Sequence, residues 1–142
     1  MADSEPENEE DLRRHVFGVV PVFLVDDLLA TVEYYREVLG FETNFLYGEP
    51  PFYASVARDD AVINFAVSNP PGRRNSVGGQ GDGNGTDGYL VVSDIDDIYA
   101  ELQEHGATVI AEIDSYDYGM REFQIEDCNG YRLIFGSETE EA

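Results

Sequence analysis

Two histidines, His15 and His105, and one cysteine, Cys128, are the chain's whole stock of imidazole and thiol chemistry. None stands where a reaction would need it. His15 precedes the first strand pattern. His105 closes a helix pattern, where a positive ring suits the negative end of the helix dipole. Cys128 falls in a turn between Asp127 and Asn129, and a thiol beside an acid is not poised as a nucleophilic thiolate. No Ser/His/Asp grouping is legible. Asp82, Asn84 and Asp87 offer oxygens at calcium-loop spacing, but Asp87 fills the position that needs glycine and Ser93 the one that needs glutamate. Catalytic residues, a resident metal and a cofactor are therefore not expected. Two polar side chains stay open. Asn64 lies on a strand pattern apolar at Ile63 and Phe65, and an amide there serves either a structural hydrogen bond or a ligand. Arg121 either anchors a ligand or pairs with one of the many acids to fix its loop.

The elements that would position these residues are written twice. Val25-Asp26-Asp27-Leu28 opens one helical pattern, and Val92-Ser93-Asp94-Ile95 opens another 67 residues later. Leu28, Val32, Tyr35 and Leu39 form one apolar helix face, with Asp27 as N-cap and Gly40 just past the end. Ile95, Ile98, Tyr99 and Leu102 form the second, capped by Asp94 and ended by Gly106. Strand patterns follow at 16–24, 41–47, 52–58 and 61–67, and again at 89–92, 107–113, 120–126 and 131–135. Pro21 marks an edge or bulge position in the first. Phe41, Thr43, Phe45 and Tyr47 alternate along the second. Each half is β-α-β-β-β. The expected organisation is an acidic disordered extension (1–14), a first module (15–68), a Gly/Pro-rich loop able to act as a flap (69–87), a second module (88–136) and an acidic tail (137–142).

The chain has 142 residues, 30 acids against 8 bases, and a formal net charge of −22. All the bases are arginine. Such a charge argues against nucleic-acid phosphates and anionic membrane surfaces as partners. Hydrophobic residues make up 42% of the chain, enough for a real core. No apolar run approaches the roughly 20 residues that span a bilayer. The acidic N-terminus does not resemble a signal peptide, and a lone cysteine fits a reducing cytoplasm. Nine acids belong to the two ends, yet residues 12–136 still carry 21 acids and 8 bases, a net −13. The bland account is a solvated surface. Abundant acids without lysine point further, to a halophile whose counterions screen the self-repulsion.

Several of these segments together resemble a known superfamily. Val25-Asp26-Asp27 through Tyr34-Tyr35-Arg36-Glu37-Val38-Leu39-Gly40-Phe41 is similar to the helix signature of the vicinal-oxygen-chelate proteins. These include glyoxalase I, extradiol dioxygenases, and fosfomycin- and bleomycin-resistance proteins. Val92 to Tyr99 with Gly106-Ala107 repeats the likeness, and so does Asp127-Cys128-Asn129-Gly130, where Cys128 replaces a usual proline. The resemblance implies an α+β fold of paired βαβββ modules forming a cupped, mostly antiparallel sheet around a concave site. Enzymes of the superfamily hold a divalent metal there, which polarises a substrate oxygen. The matching positions here are Val20 and Val22, Asn64, Asp87 and Ile134, with Arg132 on the same side as Ile134. That set does not retain the metal ligands.

Tyr118-Gly119-Met120-Arg121-Glu122-Phe123 resembles a run in the bleomycin-resistance branch, whose members sequester an antibiotic unaltered. The resemblance implies a homodimer with small-molecule sites in clefts between subunits and an aromatic ligand wall. Tyr116 and Tyr118 are the wall candidates, Tyr118 standing where tryptophan is frequent. Phe45, Tyr47 and Phe52, around the turn at 48–51, serve a ligand or pack in the core or dimer. Asn64 and Arg121 complete the expected binding set. The alternative is a divergent metal-dependent glyoxalase-, dioxygenase- or isomerase-like enzyme of the same superfamily.

Overall fold

The computed structural model describes residues 14–75 and 85–139. The expectations for residues 1–13, for 76–84 of the loop with Asp82 and Asn84, and for 140–142 lie outside them. Ten elements follow in order: β1 (Val22–Val25), α1 (Leu28–Glu37), β2 (Glu42–Gly48), β3 (Pro51–Arg58), β4 (Ala61–Val67), β5 (Gly88–Val91), α2 (Ile95–Glu104), β6 (Thr108–Ser115), β7 (Met120–Glu126) and β8 (Arg132–Glu138). They make two four-stranded sheets, ordered β1-β4-β3-β2 and β5-β8-β7-β6. In each, one outer pair is parallel and the other pairings are antiparallel. The repeated βαβββ unit expected from the sequence is the fold.

Each helix lies on one face of its own sheet because its apolar stripe demands it. Leu28, Val32, Tyr35 and Leu39 are buried, as are Ile95 and Leu102 of the second stripe. Asp27 caps α1 by accepting a hydrogen bond from Ala30 N at 3.0 Å. Asp94 departs from expectation. Its backbone is left-handed (φ 53°), so its side chain makes no cap bond, and Asp96 and Asp97 bring negative charge to the first turn of α2 instead.

Two strand expectations are corrected. Pairing of the first strand begins at Val22 rather than Val16. Proline has no N–H to donate, and although the Pro21 carbonyl still accepts from Asn64 N, nothing before it joins the ladder. Val16, Phe17 and Val19 are left more than four-fifths exposed. In β2 the alternation breaks at a bulge, with Thr43 opposite Val56 but Phe45 opposite Ser55. The extra residue, Asn44, moves Phe45 and Tyr47 to the face opposite the helix, while Phe41 stays in the core.

The two units share a single apolar cluster. Phe23 stacks on Tyr131 at 4.4 Å, and the Tyr131 hydroxyl donates to Leu24 O at 2.7 Å. Tyr35, fully buried on α1, donates to Asp127 Oδ2 at 2.6 Å in the β7–β8 turn. Asn129 of that turn donates to Thr31 Oγ1. Arg58 meets Glu101 in a two-point fork at 2.8 and 2.9 Å. The described start of the expected flap is fastened too. Asn75 accepts from Leu24 N and donates to Val22 O, covering the free edge of β1 as a neighbouring strand would.

Candidate functional site

Helices cover one face of each sheet and leave the other open. On the first sheet the helix-free face carries Val22, Asn64, Ser55 and Phe45 in one cross-strand row, with Leu24, Ala66, Tyr53 and Tyr47 in the next. Phe45 stacks on Tyr53, and Tyr47 meets Phe52 edge-on at the hairpin tip. Asn64 Nδ2 donates to the Tyr53 hydroxyl at 3.2 Å. Its Oδ1 is buried, and no donor among the described residues reaches it. A buried acceptor left open costs stability, which is why such atoms are uncommon in native proteins. Replacing Asn64→Leu should therefore leave thermal stability unchanged or raise it by about 1 kcal/mol. A loss above about 2 kcal/mol in denaturant melts would assign Asn64 a structural bond instead.

On the second sheet the site grows from the β6–β7 hairpin. Tyr116 N donates to Met120 O, and Gly119, at φ +91°, closes the turn by donating to Tyr116 O. Glycine there permits the left-handed backbone that places both tyrosines side by side. Their rings stack at 5.4 Å, inclined by only 6°. They border an open cavity of about 1010 Å³ that also meets Ile95, Asp96, Arg121 and Ser137. Arg121 forks onto Asp96 at 2.8 and 3.2 Å and reaches Ser115 Oγ at 3.0 Å. This pairing holds the guanidinium above its usual range and the Asp96 carboxyl below its own. Arg121 thus makes the pairing with an acid that one of its two open roles requires.

Behind the tyrosines lies a residue the sequence did not single out. Glu122, on the helix-free face of β7, accepts from Tyr118 at 2.8 Å and from Tyr89 at 2.6 Å. The hydrogen bond to Glu122 is the main reason the Tyr118 phenol is pushed up to about 12. Desolvation, then the same carboxylate, raises Tyr89. Both phenols therefore stay protonated donors at neutral pH. Tyr89 reaches Glu122 across Gly136, and a Cβ on that residue would collide with the phenol. A glycine inside the last strand was the available signal, since such a residue marks a close approach.

The structure thus gathers Tyr116, Tyr118 and Arg121 at one end of the second sheet. Phe45, Tyr47, Phe52 and Asn64 belong to the first sheet, and no ring contact joins the groups among the described residues. Among the described residues, those at the positions named for a divalent metal do not fit one. Val22 stands beside Asn64, Ile134 offers no donor atom, and Asp87 Oδ2 already accepts from Arg132 N. Among the described residues no three His, Cys, Asp or Glu side chains converge. Desolvation and the neighbouring Asp127 push the Cys128 thiol up to about 11, so it is no thiolate.

Two βαβββ units, each leaving one sheet face open, define a paired-module architecture. The chain belongs to the Glyoxalase/Bleomycin resistance protein/Dioxygenase superfamily, whose model matches residues 15–135. Its fold is similar to that of TioX from Micromonospora sp. ML1, at 17% identity and a TM-score of 0.69, over 87% of this chain and 99% of that one. A glyoxalase-related enzyme from Clostridium phytofermentans matches with 19% identity and a TM-score of 0.70, over 89% and 98%. The bleomycin-binding protein of bleomycin-producing Streptomyces verticillus, solved with copper(II)-bleomycin, matches with 21% identity and a TM-score of 0.61, over 90% and 99%. No curated protein matches significantly. No described helix is long and apolar enough to cross a membrane.

Proposed function

We propose that this protein binds a small, planar-ringed, antibiotic-type molecule and sequesters it unaltered in a cleft between two copies of the chain. The observation that carries the proposal is the stacked Tyr116–Tyr118 pair at the mouth of a roomy open cavity. Flat aromatic walls bury ring surface with little conformational loss, and Arg121 and Asp96, which line the cavity, supply orienting polar groups. The fold likeness to a bleomycin-binding protein agrees with this role. The copy-to-copy cleft is supported by what the single chain leaves uncovered. Val16, Phe17, Val19 and Val91 are at least three-quarters exposed, and Phe45 and Tyr47 add aromatic surface on a helix-free sheet face.

Titration with bleomycin in concentrated salt, followed by calorimetry, tests the proposal. The expected result is saturable binding, the drug recovered with unchanged mass, and a sedimenting species of twice the chain mass. Chemically altered drug would replace sequestration by catalysis. A strictly monomeric protein would remove the shared cleft, and no binding of bleomycin or of other planar-ringed antibiotics would overturn the role.

A further inference from the structure

We infer that Glu122, held between the hydroxyls of Tyr89 and Tyr118, is the anchoring site for a cationic nitrogen, an ammonium or guanidinium, on the sequestered molecule. This assignment rests on the binding role proposed above and adds the charge of the ligand to it. Glu122 is only 9% exposed, yet among the described residues it makes no ion pair. Its two described side-chain partners are neutral phenols, one on each oxygen. Removing a carboxylate from water without a counter-charge is costly, and two neutral donors offset only part of that cost. An ionised carboxylate also accepts at about four lone-pair sites, so acceptor capacity remains.

The surroundings suit an organic cation rather than a bare ion. Tyr89 and Tyr118 are both substantially exposed and present ring surface beside the carboxylate, and Val91 on the same face is apolar and open. A cation near such rings gains from their quadrupoles as well as from the acid. Tyr118 joins the two halves of the site. Its ring stacks on Tyr116, and its hydroxyl holds Glu122. A planar group lying on the pair therefore places a side-chain nitrogen toward the carboxylate. The hydroxyls keep Glu122 hydrogen-bonded until that nitrogen arrives. Gly136 keeps the path of Tyr89 clear.

The test uses two fluorescent probes that differ only in charge, naphthylmethylammonium and naphthylmethanol, at about 1 M salt, where diffuse attraction to the acidic surface is screened beyond roughly 3 Å. The whole chain should bind the ammonium roughly tenfold or more tightly than the alcohol. Glu122→Gln should abolish that preference, so that the two probes bind alike. Glu122→Asp, which keeps the charge but withdraws it by one methylene, should lose part of the preference. Glu126→Gln, removing equal charge from the same strand, should change nothing. Far-UV circular dichroism checks that each variant is folded, and a misfolded Glu122→Gln leaves the Asp variant to decide. If the alcohol binds but the ammonium binds no tighter, or if Glu126→Gln matches Glu122→Gln, the anchor is wrong while the aromatic site stands. If neither probe binds, both fall.

Discussion

Asp127→Ala is expected to cost about 3–5 kcal/mol of folding stability and to lower the melting temperature by roughly 10 °C or more. Asp127 is 6% exposed at the turn between β7 and β8. Its Oδ1 accepts from Asn129 N at 2.8 Å and Tyr131 N at 2.9 Å, and its Oδ2 accepts from Tyr35. Alanine strands all three donors, and the Tyr35 hydroxyl, deep under α1, has no water to turn to. The loss also falls on the joint between the modules, because this turn is where the second unit grips the helix of the first. Asp127→Asn keeps an oxygen for the two backbone amides and should cost only about 1–2 kcal/mol. The pair carries a pH signature. Desolvation outweighs the three hydrogen bonds and raises the folded carboxyl above its ordinary 3.8. The folded protein then holds the proton more tightly than the unfolded chain does. Relative to Asp127→Asn, the wild type must lose stability as pH rises from 3.8 through the raised value, and the difference is flat above it. Chemical melts between the acid range and neutrality read this directly. A difference that grows with pH would mean that the hydrogen bonds win over burial.

How far these features were legible depends on how local their causes are. The helices were, because Leu28, Val32, Tyr35 and Leu39 carry their periodicity in twelve consecutive residues and Asp27 caps within one turn. The modular repeat was legible for the same reason. The reach of β1 was not, since Val16 to Val20 look strand-like until Pro21 decides where pairing starts. Nor was the bulge at Asn44, because one extra residue reverses the facing of everything beyond it while the sequence still alternates. At the site, Tyr116 and Tyr118 could be picked out because they share a tight turn. Arg121 could not be assigned, as its partner Asp96 lies 25 residues earlier on another element. Glu122 stood in the Tyr118 to Phe123 run without a role, since its meaning depends on Tyr89 arriving from a strand 33 residues away and on Gly136 letting it pass.

The largest functional effect is expected at Tyr118. The residue is 62% exposed against 38% for Tyr116, so it offers the free face of the stacked pair, while Tyr116 backs it. The rings lie too close to admit a third between them, and a planar ligand must lie on the outer side. Covering that face buries roughly 50 Å² of ring, worth about 1 kcal/mol, and the stacking geometry adds roughly another 1 kcal/mol. Tyr118→Ala should therefore weaken naphthylmethanol binding roughly thirtyfold. Tyr116→Ala should weaken it only several-fold, since the wall survives but loses its support. Tyr118→Phe should leave the neutral probe unaffected, because the ring is kept and the lost hydroxyl concerns Glu122 alone. Stability should change little in Tyr116→Ala, as exposed side chains seldom carry more than about 0.5 kcal/mol, whereas both Tyr118 variants take a donor from the buried Glu122 and should cost about 1 kcal/mol. Equal weakening by Tyr118→Ala and Tyr118→Phe would transfer the role from the ring to the hydroxyl. Undiminished binding in Tyr118→Ala, lost instead on changing Phe45 or Tyr47, would move the wall to the first sheet.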